Sequence, residues 1–112
     1  MKQFLQFAIG LSLLVSLPVH AIGDADAGQG KAAVCAACHG MDGNSVVPNW
    51  PKIAGQHASY LQRQLALSKD GSRPIPEMAG IVISLTDQDM ADLAVYFESL
   101  PGAAQAVKDA SL

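Results

Sequence analysis

The chain has 112 residues, 50% of them hydrophobic and 15% charged, with two cysteines and a formal net charge of −3. That length suits one domain. The totals exclude a disordered acidic tail, a disulfide-rich toxin scaffold and a basic nucleic-acid binder.

The apolar residues are unevenly spread. Residues 1–21, MKQFLQFAIGLSLLVSLPVHA, open on Lys2, run uncharged from Phe4 to Val19, break at Pro18 and end in Val19-His20-Ala21, with small residues at the two positions a signal peptidase reads. They read as a secretory signal peptide cleaved after Ala21. A retained anchor is the weaker reading, because the run falls short of the ~20 apolar residues that span a bilayer. Removing 21 of the 112 residues leaves 91, with six basic against ten acidic side chains, or −4. Of the 43 hydrophobic residues left, 16 are alanine, and each alanine methyl contributes only ~0.8 kcal/mol on burial. Such a small, alanine-rich domain is short of core, and domains of this kind often complete themselves with a metal, a cofactor or disulfides.

Asp24 to Val34 is alanine-rich with acids at its start, which predicts a helix N-terminus. It leads into Cys35-Ala36-Ala37-Cys38-His39, the C-x-x-C-H signature of covalent haem attachment. Residues three apart share a helix face, so both thiols can meet the two vinyl groups at one porphyrin edge, and His39 follows in position to ligate iron. Three rivals are weaker. A zinc site needs four ligands, which Cys35, Cys38, His39 and His57 would have to supply. A thioredoxin-like C-x-x-C needs a βαβ setting that the flanking sequence does not suggest. A local disulfide leaves His39 unexplained.

Gly40 to Gly55 is a loop with three glycines, two prolines and the single tryptophan, and wrapping a haem edge would justify its length. One of its backbone carbonyls, with Pro48 the candidate, can accept the second ring N–H of His39. Trp50 suits either contact with the haem or plain packing. Ala58 to Lys69 reads as an amphipathic helix with Ala58, Leu61, Leu65 and Ser68 inward, capped by Gly71.

The second axial ligand is sought among Met41, Met78, Met90 and His57. Met41 is too near His39 in sequence to reach the opposite face. His57 reads as a solvated helix-start residue, and Met90 belongs to the buried stripe Met90, Leu93, Ala94, Phe97. Met78 lies in Ser72-Arg73-Pro74-Ile75-Pro76-Glu77-Met78-Ala79-Gly80, non-repetitive backbone able to deliver a thioether, with core filling as its alternative role. Ile81-Val82-Ile83 is expected as buried extended chain. Thr86-Asp87-Gln88-Asp89 predicts a capping box for a last helix that runs to Leu100 and stops at Pro101-Gly102. Residues 103–112 are expected to fray.

These motifs together resemble the class I c-type cytochromes of bacteria, above all the cytochrome c-four and small monohaem group. The matches are CAACHG at 35–40, DGNS at 42–45, the stretch from Pro48 to Gln56, Tyr60-Leu61 with Gln64-Leu65, Glu77 to Gly80, and the closing D-x-D-M-A-D-L-A-x-Y-F. The resemblance implies an all-α class I cytochrome c fold of three to five helices around one haem, with a cytochrome domain over residues 22–102. It implies thioether links at Cys35 and Cys38, iron ligands His39 and Met78, and a Pro48 carbonyl accepting from His39. First and last helices should cross, Gly28 or Gly30 allowing close approach to the face of Leu93, Tyr96 and Phe97. Cytochrome c-four proteins carry two such domains, whereas this chain has one C-x-x-C-H. The expected role is a periplasmic electron carrier rather than an enzyme, binding no nucleic acid and meeting redox partners through their basic docking patches. The alternative is a haem subunit relaying electrons within a larger dehydrogenase of the flavocytochrome type.

Overall fold

The structure, a computed structural model, describes residues 21–103 together with 106 and 110. The signal-peptide expectation for residues 1–21 and most of the tail expectation therefore lie outside the described residues. Among the described residues the helices follow in the order α1 (Ala25–Lys31), α2 (Ala33–His39), α3 (Ala58–Asp70), α4 (Ala79–Val82) and α5 (Asp87–Ser99). No strand occurs among the described residues.

Asp24 starts α1 by accepting from the amides of Asp26 at 2.8 Å and Ala27 at 3.2 Å, which satisfies two donors that have no partner in the first turn. The alanine-rich run does not continue as one helix. At Ala32 the amide bonds back to Gln29 at 3.3 Å, a tighter i to i−3 closure that separates α1 from α2. α1 is thereby left to lie along α5 while α2 carries the C-x-x-C-H residues.

Gly28 is the point of closest approach: a Cβ there would fall 2.1 Å from the Asp92 carbonyl oxygen and 2.7 Å from the Tyr96 Cβ, whereas one on Gly30 would meet nothing within 4 Å. Of the two expected glycines, Gly28 is the one the crossing requires. A polar clamp closes the same seam. Buried Asp92 receives the Lys31 ammonium at 2.6 Å, the Asp24 amide at 2.8 Å and the Gln88 side chain at 2.8 Å. Lys31 also meets Asp89 at 2.8 Å.

α5 begins with the expected capping box, the Thr86 hydroxyl accepting from the Asp89 amide and the Asp89 carboxylate from the Thr86 amide. Its stripe of Met90, Leu93, Ala94 and Phe97 is buried as the spacing predicts. α3 packs across α5, and Gly71 ends it in the left-handed conformation at φ 84°. Ser68 is buried on its inner face. Ile81-Val82-Ile83 departs from expectation: the Val82 amide bonds to the Met78 carbonyl at 3.0 Å and Ile83 to Ala79 at 3.3 Å, forming the single turn α4. With no neighbouring strand, these backbone groups can be satisfied only locally. The turn sends Val82 into the core at 1% exposure and leaves Ile83 66% exposed.

Among the described residues the core is thin. Ala32, Ala54, Ala91 and Ala94 are among its buried members, and the largest side chains buried completely are Leu93 and Val82. Around it Cys35, Ile53, Leu61, Leu65 and Met78 are packed but only partly buried.

Candidate haem site

Cys35 and Cys38 lie one turn apart on α2, half-buried and as free thiols. Burial, with a smaller contribution from Cys38, pushes the Cys35 thiol up in pKa and so holds it protonated. Among the described residues no three His, Cys, Asp or Glu side chains gather to hold a bare metal ion.

His39 ends α2 and is buried. Its Nδ1 lies 2.7 Å from the Pro51 carbonyl oxygen. A carbonyl can only accept, so Nδ1 carries the proton and Nε2 keeps its lone pair, the tautomer a metal requires. The sequence expectation placed this acceptor at Pro48, and the structure corrects it to Pro51. Pro48 occupies the second position of a tight turn closed by the Trp50 amide on the Val47 carbonyl at 3.1 Å, and it is exposed. That is where proline's fixed φ belongs in a turn, and the chain returns toward α2 only at Pro51.

The long loop is held in place at several points. Gly43 turns at φ 73°, and its carbonyl accepts from Ile53 at 2.8 Å and Ala54 at 3.0 Å. The Gly55 amide bonds the Phe97 carbonyl at 2.8 Å, and the Asn44 side chain donates to Pro101 at 2.9 Å. Pro51 is thus tied to α5 through its own loop. Trp50 is half-buried and, with Val46, Val47 and Lys52, lines a cleft of about 530 Å³.

Met78 precedes α4 and packs against the same apolar cluster as Cys35. Two residues far apart in sequence thus reach one core, where the buried apolar set is depleted. Met90 is fully inside at 3% exposure, Met41 is 82% exposed, and the His57 side chain is exposed, 3.8 Å from Glu98. Of the four residues weighed as second ligand, Met78 is the one partly buried against the apolar cluster that Cys35 also packs on. The donor types fit a haem: two free thiols one turn apart, an imidazole oriented with Nε2 free, and a thioether packed against the same apolar cluster as Cys35. The Asp92 clamp was missed in the sequence, although Lys31 at the end of one helix and acids at 89 and 92 on another carry its signal.

Comparison with known proteins identifies the family. The Cytochrome c family model matches residues 25–101. The chain is 56% identical over 93 residues to cytochrome c4 of Pseudomonas aeruginosa, covering 80% of this chain and 46% of that one. It is 40% identical over 80 residues to cytochrome c-554(548) of Halomonas halodenitrificans, covering 69% of this chain and 96% of that protein. The crystal structure of reduced recombinant cytochrome c4 from Pseudomonas stutzeri superposes with a TM-score of 0.70 at 52% identity, over 72% of this chain and 47% of that one. The chain thus spans about half the length of the cytochrome c4 proteins it matches. Its helices adopt the class I cytochrome c fold, and the chain belongs to the cytochrome c family, the proteins that carry a covalently attached haem c.

Proposed function

We propose that this protein is a periplasmic carrier of single electrons, with its haem c linked to Cys35 and Cys38 and the iron ligated by His39 and Met78. The observation that carries the reading is His39: buried one residue beyond a free thiol pair, with Nδ1 committed to Pro51 and Nε2 left over. When bound, the haem supplies an Fe(III)/Fe(II) couple that takes up or releases one electron. Cys35 and Cys38 would fix its edge, the Pro51 carbonyl sets the His39 ring orientation, and Met78 would close the far side. Two side chains on the iron leave no position for a substrate, so the reading is electron transfer rather than catalysis. A thioether opposite imidazole raises the potential relative to two histidines.

Periplasmic location rests on the signal-like residues 1–21. No helix among the described residues is long and apolar enough to cross a membrane. The net charge, −3 for the full chain and −4 once residues 1–21 with Lys2 are removed, favours approach by a partner with a basic surface and an association rate that falls with added salt.

Spectroelectrochemistry of the ferrous and ferric holoprotein under carbon monoxide tests the reading. A reversible one-electron transition with an unchanged ferrous spectrum is expected, and a carbon monoxide adduct would overturn the closed ligation. Native size exclusion distinguishes a free carrier from a subunit of a larger dehydrogenase: elution at the size of a small single protein is expected.

A further inference from the structure

We propose that Asn44 is a positioning residue for the haem iron: by clasping the long loop onto Pro101, just past α5, it holds the Pro51 carbonyl on His39 and so sets the reduction potential. The proposal rests on His39 as an iron ligand and concerns what keeps that ligand in place. Pro51 gives its carbonyl no anchor of its own, because it is exposed. Its position is inherited from the base of the loop. There the Gly43 carbonyl accepts from Ile53 and Ala54, tying the outgoing limb to the returning one just beyond Pro51.

That base is seated on the end of α5 through three contacts. The Gly55 amide donates to the Phe97 carbonyl at 2.8 Å, and Asn44 Nδ2 donates to the Pro101 carbonyl at 2.9 Å. Gly102 lies so close to Ala54 that a Cβ on it would fall 2.2 Å from the Ala54 oxygen. The Asn44 bond is the side-chain member of this set, so a substitution removes it outright. Its amide is aimed in advance: Asp42 Oδ1 accepts the Asn44 backbone N–H at 3.0 Å, a local turn that fixes the residue from which the side chain reaches Pro101. An ordinary loop bond would affect stability alone. This one acts further, because the hydrogen bond from Nδ1 makes the imidazole a stronger electron donor, and a stronger donor favours ferric over ferrous iron. Without the Asn44 bond, the two backbone contacts still hold the fold. The limb bearing Pro51 gains play, however, so that the 2.7 Å bond to His39 weakens and the potential rises.

The test is redox titration and proton magnetic resonance of holoprotein carrying Asn44→Leu, which keeps the side chain's size and neutrality but cannot donate. Asn49→Leu, the same change at an exposed position of the same loop, is the control. Removing a direct partner of a ligating histidine is worth roughly 10–100-fold, so loosening one should raise the ferrous-to-ferric ratio at fixed poise about threefold, or ~30 mV at 59 mV per tenfold. In the ferrous protein the His39 Nδ1 proton should exchange with solvent faster than in the wild type. Asn49→Leu should change neither quantity. If Asn44→Leu does not fold, Asn44→Ser, whose hydroxyl is too short to reach Pro101, carries the same expectation. The proposal is overturned if the Asn44 variant loses stability yet keeps the wild-type potential and proton exchange, which marks a bond that only fastens the loop. It is equally overturned if Asn49→Leu reproduces the shift. A wild type in which the His39 ring shows no haem-shifted resonances would instead refute His39 as the ligand.

Discussion

Gly28→Ala and Gly30→Ala make the same chemical change two residues apart on α1, and the structure assigns them opposite consequences. A Cβ at position 28 would lie 2.1 Å from the Asp92 carbonyl oxygen, 2.6 Å from its carbon and 2.7 Å from the Tyr96 Cβ. Carbon and oxygen approach no closer than roughly 3.3 Å in ordinary contacts, so α1 and α5 would have to part by about 1 Å. Backbone on the α5 side cannot rotate away, and the opening seam would stretch the Lys31 and Asp24 bonds to Asp92. Overpacking of this kind costs up to ~3 kcal/mol, against about 1 kcal/mol gained by replacing a helical glycine with alanine, a net loss of ~2 kcal/mol. For a domain of this size that lowers Tm by about 8–16 °C. At position 30 nothing lies within 4 Å, so the helix-propensity gain of about 0.5–1 kcal/mol acts alone and raises Tm by about 2–8 °C. Thermal unfolding of the holoproteins, followed by far-ultraviolet dichroism and by the Soret band, measures both. If Gly28→Ala melts with or above the wild type, or if the two variants shift together, the close crossing at Gly28 is wrong.

Ser68 is buried with its hydroxyl lacking a hydrogen-bond partner among the described residues, so Ser68→Ala should raise stability to urea by ~1 kcal/mol; a loss of stability would mean that the hydroxyl is bonded in the holoprotein. Asp89 is pulled down to about 2 by Lys31 and by the Thr86 amide and hydroxyl, and Asp92 is lowered by Lys31, Gln88 and the Asp24 amide. Both carboxylates stabilise the fold while ionised, so stability should hold at neutral pH and fall as pH drops below about 4, the unfolded carboxylate range, toward 2. Asp92→Asn should flatten that fall, and an acid limb identical to the wild type would refute the clamp. Cys35→Ala with Cys38→Ala should leave little folded protein, because the described core is alanine-rich and a covalent haem completes it, much as bound metal completes small metallo-domains. A well-packed apo form with sharp side-chain resonances would contradict that.

Features set by local chemistry were legible in the sequence. The Thr86–Asp89 capping box, the Gly71 cap, the α5 stripe and the paired cysteines depend on residues within a turn or two of each other. Features set by how the chain returns on itself were not. Pro48 and Pro51 are both loop prolines, and a turn closed by the Val47 carbonyl decides which of them faces His39. Ile81-Val82-Ile83 has strand composition, but Met78 and Ala79 offer carbonyls to close a helical turn and no strand lies beside it. The break falls at Ala32 itself, an alanine followed by a second alanine, while Gly28 and Gly30, both poor helix formers, lie inside α1 and do not mark its end. Asp92 reads locally as a helix residue among apolar neighbours, and its burial makes sense only once Lys31 arrives from α1.

The assignment of iron to His39 and Met78 is tested most directly by the absorption spectrum and midpoint potential of ferric holoprotein carrying Met78→Ala, beside Met90→Ala as the buried control. Met78→Ala is expected to abolish the sulfur-to-iron band and lower the potential, with Met90→Ala keeping both. Loss of the band in Met90→Ala with its retention in Met78→Ala would contradict the assignment.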